Sequence, residues 1–190
     1  MGSMTTAEDE QGAQPSASQG RTVRRASAEE LPSVARLLLR SYEADYAPLS
    51  VEYRRRLARP QDRVADDDIW LAFDGTEPVA TISTSRAVVD GWAHCSLLAV
   101  APSARRRGLG AAMIGFALER ARTLDADGLR LHSAEYMTAA HRLYRSLGFE
   151  RMPEQDFTVA ESRHATLQVW GFGRELGPRP PTGHPRLSGR

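Results

Sequence analysis

The chain has 190 residues, a length for one domain, and its 41% hydrophobic content suffices for a core. A net charge of +1 provides no overall field to gather nucleic acid or an acidic membrane surface, and no apolar run reaches the roughly 20 residues that span a bilayer. Cys95 is the single cysteine, which excludes an internal disulfide. The N-terminus lacks the basic-then-apolar order of a secretory leader, so the expectation is a cytoplasmic protein. Lysine and asparagine are absent, a coding bias expected of a bacterium.

Residues 1–20 are small, polar and aperiodic and read as a disordered arm, with Met1-Gly2-Ser3-Met4 as an expression remnant. Residues 21–174 form the domain. Thr22 to Arg25 is a first strand, and Ser27 to Glu30 has the spacing of a capping box. Leu31, Val34, Ala35 and Leu38 then mark one helix face. Tyr42 and Tyr46 fall in a link before a second, arginine-rich helix, Ser50 to Leu57. Ile69 to Phe73, Val79 to Thr84 and the run ending at Val100 are strands separated by Asp74-Gly75 and Asp90-Gly91, both hairpin signals. A helix over Ala111 to Thr123 and a strand over Leu129 to His132 follow. Thr138 is placed to cap a helix whose buried face is Ala140, Leu143, Tyr144 and Leu147, closed by Gly148. Phe149 to Phe157 pairs with Ala165 to Trp170 as a last hairpin, and residues 175–190, rich in proline and glycine, read as a loose tail. The order β-α-α-β-β-β-α-β-α-β-β predicts an α/β fold: a mixed, mostly antiparallel sheet with helices on both faces.

Between the strand ending at Val100 and the following helix lies Arg105-Arg106-Arg107-Gly108-Leu109-Gly110. A helix's first turn has free backbone N–H groups and the positive end of its dipole, and glycine lets a phosphate approach the backbone. The spacing is not that of a P-loop, which needs Lys-Ser/Thr, nor of the dinucleotide fingerprint, since Met113 stands where the third glycine belongs. Arg-x-x-Gly-x-Gly after Leu98-Ala99-Val100 resembles the acetyl-CoA loop of the GNAT superfamily of N-acetyltransferases. Ala140 to Phe149 resembles the same superfamily's Ala-x-x-Leu-Tyr-x-x-x-Gly-Phe segment, and the likeness extends over roughly residues 22 to 170.

That resemblance implies a GNAT-type sheet whose strand at Leu98, Ala99 and Val100 bulges and splays to admit the pantetheine arm. It implies acetyl-CoA as cosubstrate, held by backbone N–H groups from Arg106 through Gly108 and Leu109 to Ala111, with Arg105, Arg106 and Arg107 near its phosphates. Gly110, Met137 and Ala140 complete the cofactor contacts, Met137 standing where the family often has asparagine. Tyr144 is the implied general acid for the leaving thiolate. The segment from Ala93 to Val100 resembles the arylalkylamine acetyltransferases, which place His-x-His there; His94 matches the first and Ser96 stands at the second. His94, Ser96 and Leu98 share one strand face by alternation, and His132 is on the next strand. The base is therefore His94, His132, Glu135 or water. Cys95 reads as a packing residue, and Asp156 as a neighbour of the acceptor pocket. The expected reaction is direct attack of an amine, on a small molecule, peptide or protein, on acetyl-CoA in a ternary complex. No metal, nucleic acid or membrane is expected, and family analogy implies a homodimer. A non-catalytic acyl-CoA-binding module is the alternative.

Overall fold

A computed structural model describes residues 22–46, 48–162 and 165–177. The expected arm and most of the expected tail lie outside these residues. The strands are β1 (Val23–Arg25), β2 (Asp67–Asp74), β3 (Glu77–Ser85), β4 (Trp92–Val100), β5 (Gly128–Ala134), β6 (Glu150–Arg151), β7 (Phe157–Ser162) and β8 (Ala165–Glu175). The helices are α1 (Leu31–Tyr46), α2 (Val51–Ala58), α3 (Leu109–Thr123) and α4 (Thr138–Ser146). One mixed sheet runs β1-β2-β3-β4-β5-β8-β6, with β7 also on β8; β4 and β5 are the parallel pair and the other pairs are antiparallel. Every residue of β3 from Val79 to Thr84 is buried, so both sheet faces are covered, by α1, α3 and their neighbours.

Local chemistry explains the joints. Asp90 and Gly91 both have positive φ, +52° and +80°, the two-residue turn that matches strand twist. α1 buries Val34, Leu37, Leu38 and Ser41, at helical spacing. It runs on to Tyr46, so Tyr42 and Tyr46 are helical rather than in a link. α4 ends with Gly148 N–H to Arg145 O and Phe149 N–H to Tyr144 O, both 3.0 Å, and Gly148 at φ +77°. That is the double bond of a Schellman cap.

Two expectations change. Thr138 is the first residue of α4, not its cap; Met137 occupies the cap position with no side-chain hydrogen bond. The stretch Phe149 to Phe157 is not one strand. Pro153 lacks the N–H a ladder needs, and a 3₁₀ turn at Pro153–Gln155 separates the two-residue β6 from β7. The hairpin instead joins β7 and β8, whose eleven residues have β5 on one edge and β6 and β7 on the other.

Candidate active site

β4 opens the site. Ser96 pairs with Ser83 and Ala99 with Thr81, so three steps of β4 span two of β3. The extra residue is a bulge, and Leu97 sits at φ +52°. The alternation of His94 and Ser96 therefore continues to Ala99 rather than Leu98, because a one-residue insertion exchanges the faces. On its other side β4 pairs with β5 only from Trp92 to Cys95, opposite Gly128 to Leu131. Past that point the strands diverge. Leu98, Ala99 and Val100 line the gap, a cavity of about 190 Å³ that also touches Arg105, Gly110, Met137, Ala140 and Tyr144.

The basic loop stands at the end of this gap. Gly108, at φ +76°, is the N-cap of α3. Left-handed backbone suits glycine, and open space surrounds its Cα, so conformation rather than crowding selects it. Ala112 N–H is the first in α3 with an intrahelical acceptor, the Gly108 carbonyl at 3.0 Å. Among the described residues the N–H groups of Arg106 and of Gly108 to Ala111 find no backbone acceptor. A Cβ on Gly110 would lie 3.1 Å from Leu143 Cδ2, so this glycine also brings α3 close to α4.

The arginines have separate duties. Arg105 donates to Asp45 Oδ1 at 2.5 Å, the Ser41 carbonyl at 2.9 Å and the Val100 carbonyl at 3.4 Å, tying α1 to the end of β4. Arg107 pairs with Asp74 at 2.8 Å. Arg106 is exposed, with φ +58°.

Tyr144 is on the buried face of α4, 7% exposed. Its ring packs against Phe149 and Phe172, centroids 6.2 and 5.6 Å away. Its hydroxyl has no hydrogen-bond partner among the described residues, and burial pushes its pKa well above 10, so it remains a proton donor. Tyr144, Leu98 and Met137 line both the first cavity and a second one of about 310 Å³. Met137, 5% exposed, offers that wall a thioether in place of an amide.

The second cavity brings His94 and His132 together from adjacent strands. His132 Nε2 lies 3.2 Å from the Gln155 carbonyl, and His132 Nδ1 lies 3.4 Å from His94 Nε2. A carbonyl only accepts, so His132 Nε2 carries hydrogen. In the neutral ring Nδ1 then accepts, and His94 Nε2–H donates to it. His94 Nδ1 is left with a lone pair. Burial, then His132, Arg63 and Arg130, lower the His94 pKa to about 4. Burial also lowers that of His132, against the pull of the Gln155 carbonyl. Both rings are neutral at pH 7.

Asp156 acts one step back. Arg151 grips it twice, at 2.9 and 2.7 Å, and it accepts the Gly171 N–H at 2.8 Å. The Arg151 hydrogen bond, helped by the Gly171 N–H, lowers its pKa. This brace holds the turn that presents the Gln155 carbonyl to His132. Glu135 is exposed and lines neither cavity. Cys95 is buried, and burial pushes its thiol up to about 12, which suits a packing residue and not a nucleophile.

The sequence reading missed Arg63 and Arg56, which also line the second cavity. Arg63 NH1 donates to Ser96 Oγ at 3.2 Å. Arg63 sits in a 3₁₀ turn, one arginine among many, and no local pattern marks it. Among the described residues no three metal-ligating side chains cluster, and no helix is long and apolar enough to cross a membrane.

The family model described as Acetyltransferase (GNAT) family matches residues 31–149, more than half of the chain. The chain belongs to the GNAT family of acetyltransferases. It is similar to a GNAT-family acetyltransferase from Staphylococcus aureus Mu50, TM-score 0.66 and 15% identical, covering 83% of this chain and 99% of that one. It is also similar to the ribosomal-protein-S18-alanine N-acetyltransferase of Escherichia coli, TM-score 0.64 and 18% identical, over 87% and 99%. A third is the PaiA N-acetyltransferase of Thermoplasma acidophilum in complex with coenzyme A, TM-score 0.62 and 15% identical, over 83% and 99%. Such identities carry the fold alone. No curated protein matches the chain.

Proposed function

We propose that this protein is an acetyl-CoA-dependent N-acetyltransferase that transfers the acetyl group to a primary amine by direct attack within a ternary complex. The observation that carries the reading is Tyr144, which lines both cavities and whose hydroxyl has no hydrogen-bond partner among the described residues. The N–H groups of Arg106 and of Gly108 to Ala111, without a backbone acceptor among the described residues, and the gap past Cys95 fit a diphosphate and an extended thiol arm. When bound, acetyl-CoA supplies an acetyl thioester. The N–H groups of the loop from Arg106 to Ala111 would hold phosphate, and the edge of β4 at Leu98 to Val100, past its pairing with β5, would hold the arm. Tyr144 donates its phenolic hydrogen at the sulfur as charge develops there. His94 Nδ1 takes the amine proton as the new N–C bond makes that proton acidic, and the His132 lone pair steadies the imidazolium through Nε2–H. A base lowered to about 4 suits such an acidified proton better than a free ammonium.

A binding-only module would share the donor cavity but would have no use for a histidine pair lining the other one. The test is thiol release from acetyl-CoA by the full chain with a panel of primary amines, with mass detection of the acetylated amine. Amine-dependent release is expected. Coenzyme A binding without release in the presence of any amine would overturn the reading.

A further inference from the structure

The second cavity has walls of one charge. Arg56 and Arg63 both line it, and among the described residues no carboxylate does. Arg63 has anionic company behind it: its NH1 is 3.7 Å from Asp67 Oδ2. That oxygen also accepts Ser83 Oγ–H at 2.8 Å and stays outside the cavity. The bond to Ser96 and the approach to Asp67 both use NH1. Nε and NH2 make no hydrogen bond among the described residues. Arg56 is exposed and its guanidinium has no hydrogen-bond or ion-pair partner among them, while nearby Arg59 is paired with Asp62 at 3.0 Å. The remaining wall is largely apolar, with Leu97, Phe157, Val159, Leu167 and Val169.

We infer that the acceptor is an α-amino acid or close analogue: an amine whose carboxylate is received by Arg63, with Arg56 at hand, and whose substituent is apolar. This rests on the acetyltransferase reading and names the substrate class of that same site. Arg63 bonds Ser96, two residues along β4 from His94, so the carboxylate and the amine would be received at neighbouring positions of one strand. Planar guanidinium matches carboxylate with paired donors, and the low-dielectric wall strengthens the pairing. The same two positive charges repel a second ammonium, so polyamines fit poorly.

The experiment compares L-leucine, L-leucinamide, isoamylamine, glycine and spermidine as acceptors for the full chain with acetyl-CoA, following thiol release. L-leucine should exceed leucinamide and isoamylamine in kcat/KM by about 10- to 100-fold, the range of a hydrogen bond to a charged group. The amide's amine deprotonates more readily, so chemistry alone runs against this result. Glycine should be poorer than leucine for want of apolar contact. Arg63→Gln should bring the acid-to-amide ratio toward unity, and Arg56→Gln should reduce it by less. Turnover of leucinamide, isoamylamine or spermidine as fast as leucine would overturn the carboxylate assignment and leave the acetyltransferase reading standing. A preference for acid unchanged in both variants would overturn the role of these arginines. Thiol release with no amine at all would remove both readings together.

Discussion

The cavity of about 190 Å³ between β4 and α4 and the cavity of about 310 Å³ that reaches β7 meet at Tyr144, yet their walls are made differently. The first joins main chain from the bulged edge of β4 and the start of α3 to side chains of α1 and α4. The second is side chain: arginines from α2 and the turn after it, histidines from β4 and β5, and apolar residues from β7 and β8. Backbone recognition tolerates sequence change as long as the path of the chain is kept. Side-chain recognition is set residue by residue, so partner choice resides there.

The contrast is broken most sharply at Tyr144, where the cavities join. Tyr144→Phe keeps the ring against Phe149 and Phe172 and removes only a hydroxyl that has no partner among the described residues. Stability and coenzyme A affinity should barely change, while turnover falls by about 10²- to 10⁴-fold. A loss near tenfold would reduce the hydroxyl to a neutral hydrogen bond. Steady-state kinetics and calorimetry read the two effects separately.

The histidine pair gives the next largest effect, on stability against pH. His94 has its folded pKa depressed to about 4 from 6.5. The unfolded chain therefore binds the proton first, and the contribution is fully present above pH 6.5 and lost as pH falls toward 4. The loss is on the order of 3 kcal/mol at full protonation. Urea unfolding at pH 7 and pH 5 checks it. His94→Gln keeps a donor toward His132 and should flatten the slope; an unchanged slope would mean the ring is solvated.

Substitutions in the loop give smaller changes and test whether main chain or arginine binds the donor. Gly108→Val places a branched side chain in open space but at φ +76°, a strain of about 1–3 kcal/mol. The loop should re-aim its N–H groups, and coenzyme A affinity should drop by roughly tenfold or more. Arg107→Ala removes an exposed pair with Asp74 worth about 0–1 kcal/mol and should change affinity less than Gly108→Val does. The reverse order by calorimetry would make the donor site a side-chain site.

The same division explains what the sequence made legible. The strand, basic loop and helix from β4 to α3 are local, so spacing alone locates them, and the frame from Leu143 to Phe149 marks Tyr144 for the same reason. His94 and His132 are visible as candidates, but their pairing depends on the β4–β5 register, and the order of their protons depends on the Gln155 carbonyl. That carbonyl is a backbone group on a turn no side-chain pattern announces. Arg63 is hidden among many arginines, because its role comes from the fold of the segment after α2. Thr138 has a capping side chain but falls one position inside the helix, where Met137 takes the end. Pro153 marked the break between β6 and β7, and the apolar ends of that stretch concealed it.

The most direct measurement of the central claim, that the donor is held by main chain, is an amide titration of the full chain with coenzyme A followed by ¹⁵N–¹H correlation spectra. The amides of Arg106 and of Gly108 to Ala111, which find no backbone acceptor among the described residues, should show the largest downfield shifts and gain protection from exchange. Amides around Arg63 and Phe157, in the other cavity, should respond little. Saturable binding that leaves the loop amides unmoved while shifting those of the second cavity would contradict the account.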